Sequence, residues 1–122
     1  MNAAPQQNDS PLSTVARDEL RLRVLRALEA NPELSQRQLA AELGVSLGGV
    51  NYALKALIER GFVKADNFRR SGSKVAYLYV LTPKGVAEKA SLVTVFLGRK
   101  LEEYEVLRRE IEALKGEVDS DE

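Results

Sequence analysis

Ser35–Arg60 reads SQRQLAAELGVSLGGVNYALKALIER, two short helical patterns around one glycine. Ser35 can cap the first helix, and Gln38, three residues on, can return a bond to the cap backbone, which makes a capping box. Leu39, Ala40 and Leu43 give that helix one apolar side. Gly44 stops it, because a residue without Cβ takes the left-handed conformation cheaply. Val45 packs the turn and Ser46 caps the next helix. Val50, Leu54, Leu57 and Ile58 then recur at i, i+4, i+7 and i+8, a stripe to be buried. The other side of this helix is small and polar: Ser46, Gly48, Gly49, Asn51, Tyr52 and Lys55. Helix, glycine turn, helix is the arrangement that lays a second helix in a DNA groove.

Upstream, Val15–Ala30 is a third helical pattern, with Leu20, Val24, Leu25 and Leu28 as its buried stripe and Arg17, Arg21 and Arg26 outside it. Asn31-Pro32 ends it, since the residue before proline avoids helical geometry. Residues 1–14 are rich in Asn, Gln, Ser, Pro and Ala and are expected to form a disordered arm. Downstream, Gly61 ends the second helix of the motif. Phe62-Val63-Lys64 opens a strand, Val75–Leu81 is rich in β-branched and aromatic residues, and RRSGS between them is a turn by composition. A β-hairpin with a basic tip beside a helix-turn-helix is a wing. Tyr77 and Tyr79 on its second strand are expected to pack rather than to stack on bases.

Thr82-Pro83 starts a last helix, with Thr as cap and Pro at the first helical position. It meets no further proline before about Val118, and its glycines in that stretch are Gly85, Gly98 and Gly116. Its upper part, Ala87–Leu97, is apolar on several sides and should be buried by several neighbours. Further on, Tyr104, Leu107, Ile111, Leu114 and Val118 alternate spacings of three and four. They form a heptad seam with Tyr104, Ile111 and Val118 at a and Leu107 and Leu114 at d, and β-branched a with Leu at d favours a parallel pair. In a parallel pair Glu103 would face Arg108 of the other chain and Glu110 would face Lys115. An antiparallel pair would set glutamate near glutamate. The residues expected to hold a homodimer are Leu92, Val93, Phe96, Leu97, Leu101, Tyr104, Leu107, Ile111, Leu114 and Val118.

The fold class that follows is mostly α with a small β-hairpin: a winged helix-turn-helix and then a long C-terminal dimerisation helix forming a coiled coil. The expected divisions are the arm at 1–14, the winged domain at 15–82, the dimerisation helix at 83–118 and an acidic tail at 119–122. A chain of 122 residues has room for one domain and an appendage, but not for a large enclosed active site.

Composition removes other classes. With no Cys and no His, disulfides, thiol chemistry and zinc sites built on those residues are excluded, as is the commonest general base near neutral pH. No nucleophile–base pair, carboxylate metal cluster or phosphate loop is visible, so neither an enzyme nor a metal or cofactor site is expected. No apolar run nears the ~20 residues of a membrane span, and the N-terminus lacks the pattern of a secretory signal, which predicts a cytoplasmic protein. The formal net charge of zero is unevenly spread. Leu34–Leu81 carries seven basic and three acidic residues, whereas Glu102 to the end carries three basic and nine acidic. The basic excess coincides with the motif and its hairpin, as double-stranded DNA would require.

ELSQRQLAAELGVSLGGVNYALKALIERGFVK followed by YLYVLTPKG resembles the winged-helix pattern of the MarR family. With Asn67–Arg69 and the EKA…FL.RKL.EYE run of the last helix, the likeness extends from about Asp18 to Leu114. More narrowly, it is to the small MarR-type regulators associated with bacterial exopolysaccharide gene clusters. The resemblance implies a dimeric transcriptional regulator of such a locus. Members commonly carry a basic residue near Gly49, and glycine there removes a possible phosphate or base contact. The wider family also admits a small-molecule effector, for which the sequence shows no pocket.

By position, Gln36 and Arg37 at the start of the first motif helix are assigned to phosphate. Ser46, Asn51, Tyr52 and Lys55 face the groove. Asn51 is the first choice for base reading, because its amide can bond adenine N6 and N7 together. Gly48 and Gly49 let the backbone come close to DNA. Arg69, Arg70 and Lys74 are wing contacts to phosphate or the minor groove. The alternative from another class is a winged-helix and coiled-coil adaptor that docks proteins through its acidic end.

Overall fold

A computed structural model describes residues 11–69 and 75–120, with side chains for 14–67 and 77–120. The elements are α1 (Pro11–Ala30), α2 (Gln36–Leu43), α3 (Leu47–Glu59), β1 (Val63–Arg69), β2 (Val75–Leu81) and α4 (Pro83–Ser120). They fall into two compact units, one ending at Leu92 and one running from Val93 onward. α4 begins in the first and continues through the second. Residues 1–10 of the expected arm, the wing tip 70–74 and residues 121–122 lie outside the described residues.

α1 begins at Pro11, four residues before the pattern of apolar positions predicts. Proline suits the first turn of a helix, where its missing N–H leaves no bond unmade. The buried stripe of α1 is wider than expected: Leu22, Val24, Leu25, Ala27 and Leu28 are all buried, while Leu20 is half-buried. The excess reflects α1's position against α2, α3 and β2 together.

α2 forms as its ends dictate. Ser35 Oγ accepts the Gln38 N–H, the Gln38 side chain accepts the Ser35 N–H, and Gly44 takes φ 69° at the other end. Arg23 of α1 adds a bond from its guanidinium to the Leu43 carbonyl at 2.6 Å, satisfying an orphan acceptor of the last turn.

α3 starts on Ser46, whose Oγ accepts the Gly49 N–H at 3.0 Å. It closes as a Schellman motif: Gly61, at φ 80°, donates to Ile58 O and Phe62 donates to Leu57 O. Val50, Leu54 and Leu57 are buried, but Ile58 is 37% exposed, contrary to expectation. At 3.6 residues per turn, Ile58 lies roughly 70° round the helix from the centre of the other three, at the rim of the stripe.

β1 and β2 are antiparallel, in register from Val63↔Leu81 to Arg69↔Val75. Val63 and Tyr79 are buried on the face toward the helices. Tyr79 also donates its backbone N–H to Pro32 O at 3.1 Å, which fixes β2 to the loop after α1.

The join between wing and α4 is tight. Thr82 donates its N–H to Phe62 O and its hydroxyl to Gly61 O, and its Oγ1 accepts the Gly85 N–H at 3.0 Å. Gly85 is buried against the Phe62 carbonyl. Two ion pairs tie the first turns of α4 to α1, Arg21–Glu88 at 3.1 Å and Lys89–Glu29.

In the second unit, Val93 and Phe96 are half-buried. Val95 and Leu97 are exposed, so the expected all-round burial of 87–97 is not present in the single chain. Leu101, Tyr104, Leu107, Ile111, Leu114 and Val118 are exposed as well, an unbroken apolar seam along the helix.

Candidate nucleic-acid interface

The core stripe of α3 leaves its opposite face uncovered. Ser46, Gly48, Asn51, Tyr52 and Lys55 are all exposed, and Gly49 is half-buried. Tyr52 reaches 73% exposure, far more than a core tyrosine would show. It edges a cleft of about 140 Å³ between α1 and α3, floored by Leu20, Ala53, Ala56 and Leu57.

The two glycines of α3 differ. A Cβ at Gly48 would meet open space, consistent with a helix start that none of the described residues covers. A Cβ at Gly49 would stand 3.2 Å from Ser46 Oγ, the atom that caps this helix. Gly49 therefore serves the cap as well as any close approach to DNA, and a long basic side chain there would begin by crowding the cap.

Gln36 and Arg37 lie in the first turn of α2, and Arg37 is exposed. Gln36 is more engaged than a phosphate contact needs to be. Its Nε2 donates to the Tyr79 hydroxyl at 3.1 Å, and its Oε1 accepts from Asn51 Nδ2 at 3.1 Å. Sequence reasoning had no signal for this link, since Asn51 and Tyr79 stand 15 and 43 positions from Gln36, each on a different element. Tyr79 is a packing residue, 7% exposed, as expected, whereas Tyr77 is 54% exposed and meets this chain through its stack on Tyr79, with ring centroids 6.2 Å apart.

The structure thus brings Gln36, Asn51 and, through them, Tyr79 together, beside Arg37, Ser46, Gly48, Gly49, Tyr52 and Lys55 on the same two helices. The side chains of Arg69, Arg70 and Lys74 lie outside the described residues, although β1 carries the backbone of Arg69 to its end. Among the described residues, no group of three or more His, Cys, Asp or Glu is placed to hold a metal ion. No helix among them is long and apolar enough to cross a membrane.

A capped pair of helices with an exposed polar second helix, followed by a two-stranded wing, defines a winged helix-turn-helix DNA-binding domain. Residues 17–64 match the family described as winged helix-turn-helix DNA-binding. Among solved structures, the chain is similar to wild-type MarR from E. coli in its apo form, with TM-score 0.50 and 23% identity over 60% of this chain and 53% of that one. It is also similar to a MarR/EmrR family transcriptional regulator from Acinetobacter sp. ADP1, with TM-score 0.54 and 19% identity over 83% and 75% of the two chains. A third is a mutant form of S. aureus MepR, with TM-score 0.54 and 18% identity over 82% and 74%. The match takes in about half of the E. coli protein's length, 53%. Identities at this level establish the fold, which is the winged helix of MarR-type regulators. A search of curated protein sequences finds no match.

Proposed function

We propose that the chain is a dimeric transcriptional regulator in the cytoplasm, with α3 in the major groove of DNA and the 62–81 hairpin on the backbone or minor groove. The observation that carries this is the uncovered polar face of α3, on a helix whose other side is committed to the core. Asn51 reads a base, Arg37 contacts phosphate, Lys55 faces the groove, and Arg69, Arg70 and Lys74 anchor the wing. The regulated genes include an exopolysaccharide cluster, a proposal supported by the likeness of Asn67–Arg69 and of the last helix to regulators of that kind.

Two copies pair through the seam of α4 and address two related half-sites. Supporting this, Tyr104, Leu107, Ile111, Leu114 and Val118 repeat at heptad spacing, and all five are exposed in the single chain. The flanking residues favour a parallel pair: Glu103 would meet Arg108 of the second copy, and Glu110 would meet Lys115. One heptad earlier, Phe96 would meet Leu101 by the same rule, an apolar pair at positions usually charged. Within one chain Glu103 stands 3.3 Å from Lys100 and Arg108 stands 3.0 Å from Glu105, exposed contacts that constrain the side chains little.

The direct test is a gel shift with the DNA upstream of the protein's own operon, against excess unrelated duplex. A shift that unrelated duplex abolishes equally well would refute sequence-specific binding. For the wing, replacing Arg69 and Arg70 by Ala should weaken binding to all sequences. It should also flatten the plot of log affinity against log salt by about 0.9 for each phosphate the variant no longer touches. An unaltered slope would mean that the wing does not touch the backbone.

A further inference from the structure

We infer that Leu47 is a specificity-determining residue, which reads the C5 methyl group of a thymine in each half-site. The inference rests on the proposed placing of α3 in the major groove.

Residues at the N-terminal end of a recognition helix are the ones that reach base edges. At that end of α3 few side chains can reach outward. Ser46 Oγ is held at 3.0 Å by the Gly49 N–H, back against its own turn. Gly48 and Gly49 carry no side chain, and Val50 is fully buried. That leaves Leu47, the first residue of α3, which is 42% exposed although wholly apolar. Asn51, also exposed, follows one turn later on the same side of the helix. Gly48, with open space where a Cβ would stand, lets this end of the backbone come near the groove floor.

An isobutyl group has neither donor nor acceptor, so it cannot bond the polar edge of any base. The major groove offers one methyl group, at C5 of thymine, while the other bases are marked there by donors and acceptors. Leucine laid against that methyl takes apolar surface of both partners out of water. Laid against a polar edge, it would strip water from a donor or acceptor and replace it with nothing. The first turn of α3 therefore discriminates by apolar contact, and thymine is the base it selects. One buried methyl corresponds to about a fourfold difference in affinity.

The test begins with selection from a pool of randomised duplexes, using the full-length chain, to obtain a preferred site. Deoxyuridine then replaces each thymine of that site in turn, which removes the methyl and keeps every hydrogen-bonding atom. For the parent chain, one thymine in each half-site should show a loss of about fourfold. In Leu47→Ala that loss should vanish. Leu47→Met, which keeps an apolar chain of similar volume, should retain it. A leucine that only packs against its own fold would lower the melting temperature on replacement by Ala and leave the deoxyuridine loss as it was.

Deoxyuridine without effect at every thymine of the parent's site overturns the inference, and this arm needs no variant to fold. A loss that persists in full in Leu47→Ala also overturns it, since another residue then touches the methyl. Both results leave α3 in the groove. A selection that enriches no sequence refutes that placing itself, and the inference falls with it.

Discussion

Gly85→Ala should destabilise the first unit by about 3 kcal/mol or more, at the upper end of what overpacking does. A Cβ at this residue would stand 1.9 Å from the Phe62 carbonyl oxygen and 2.9 Å from its carbon, and both are backbone atoms that cannot rotate away. The same oxygen accepts the Thr82 N–H, so displacing it would also break the bond that starts α4. Thermal unfolding followed by circular dichroism should show the midpoint lowered by roughly 10–20 °C for a domain of this size. Gly48→Ala provides the control of opposite sign. It sits in a helix with open space around its Cβ, so the better helix former should stabilise by about 1 kcal/mol. Equal midpoints for Gly85→Ala and the parent would show that the backbone at Phe62 yields freely to an added methyl.

The second large effect concerns association. Ending the chain after Gly98 removes Leu101, Tyr104, Leu107, Ile111, Leu114 and Val118, the greater part of the seam. Light scattering should report monomers, and affinity for a two-half-site duplex should drop by about 10²–10⁴, because linked binding becomes two separate events. Affinity for a single half-site should change little. The chain has no cysteine, so Val118→Cys introduces a unique thiol. A parallel, in-register pair sets the two copies of this residue side by side at an a position, and mild oxidation should link them. A dimer by light scattering that resists this linkage, but in which mixed Leu97→Cys and Leu114→Cys chains cross-link, would reverse the orientation and keep the dimer. A truncated chain that stays dimeric would move the interface elsewhere.

What was legible in the residue order was local. The ends of α2, the cap of α3, the closure at Gly61 and the Thr82-Pro83 start of α4 each depend on residues a few positions apart, so pattern alone sufficed. Periodicity also separated the core side of α3 from its polar side, except at Ile58, whose place at the rim depends on what packs beside it. The remaining features are contacts across the fold. Nothing in the sequence pointed to the Gln36–Tyr79 bond, to the packing of Gly85 on Phe62, or to Arg23 reaching Leu43 O. Gly85 could be read as a tolerated irregularity in a first turn, because the carbonyl it accommodates belongs to a residue before the wing. The candidate interface was legible as a set of residue types, while the engagement of two of them with each other was not.

The bond from Tyr79 to Pro32 has a bearing on the colloidal behaviour of the folded chain. A two-stranded hairpin offers an outer edge on which a foreign strand could extend the sheet. On β2 a donor of that edge is already taken, and the residue taking it is a proline, which has no N–H with which to continue a ladder. One rung of sheet growth on this side is therefore pre-empted by the chain's own loop, which disfavours accretion into fibres along that edge from the folded state.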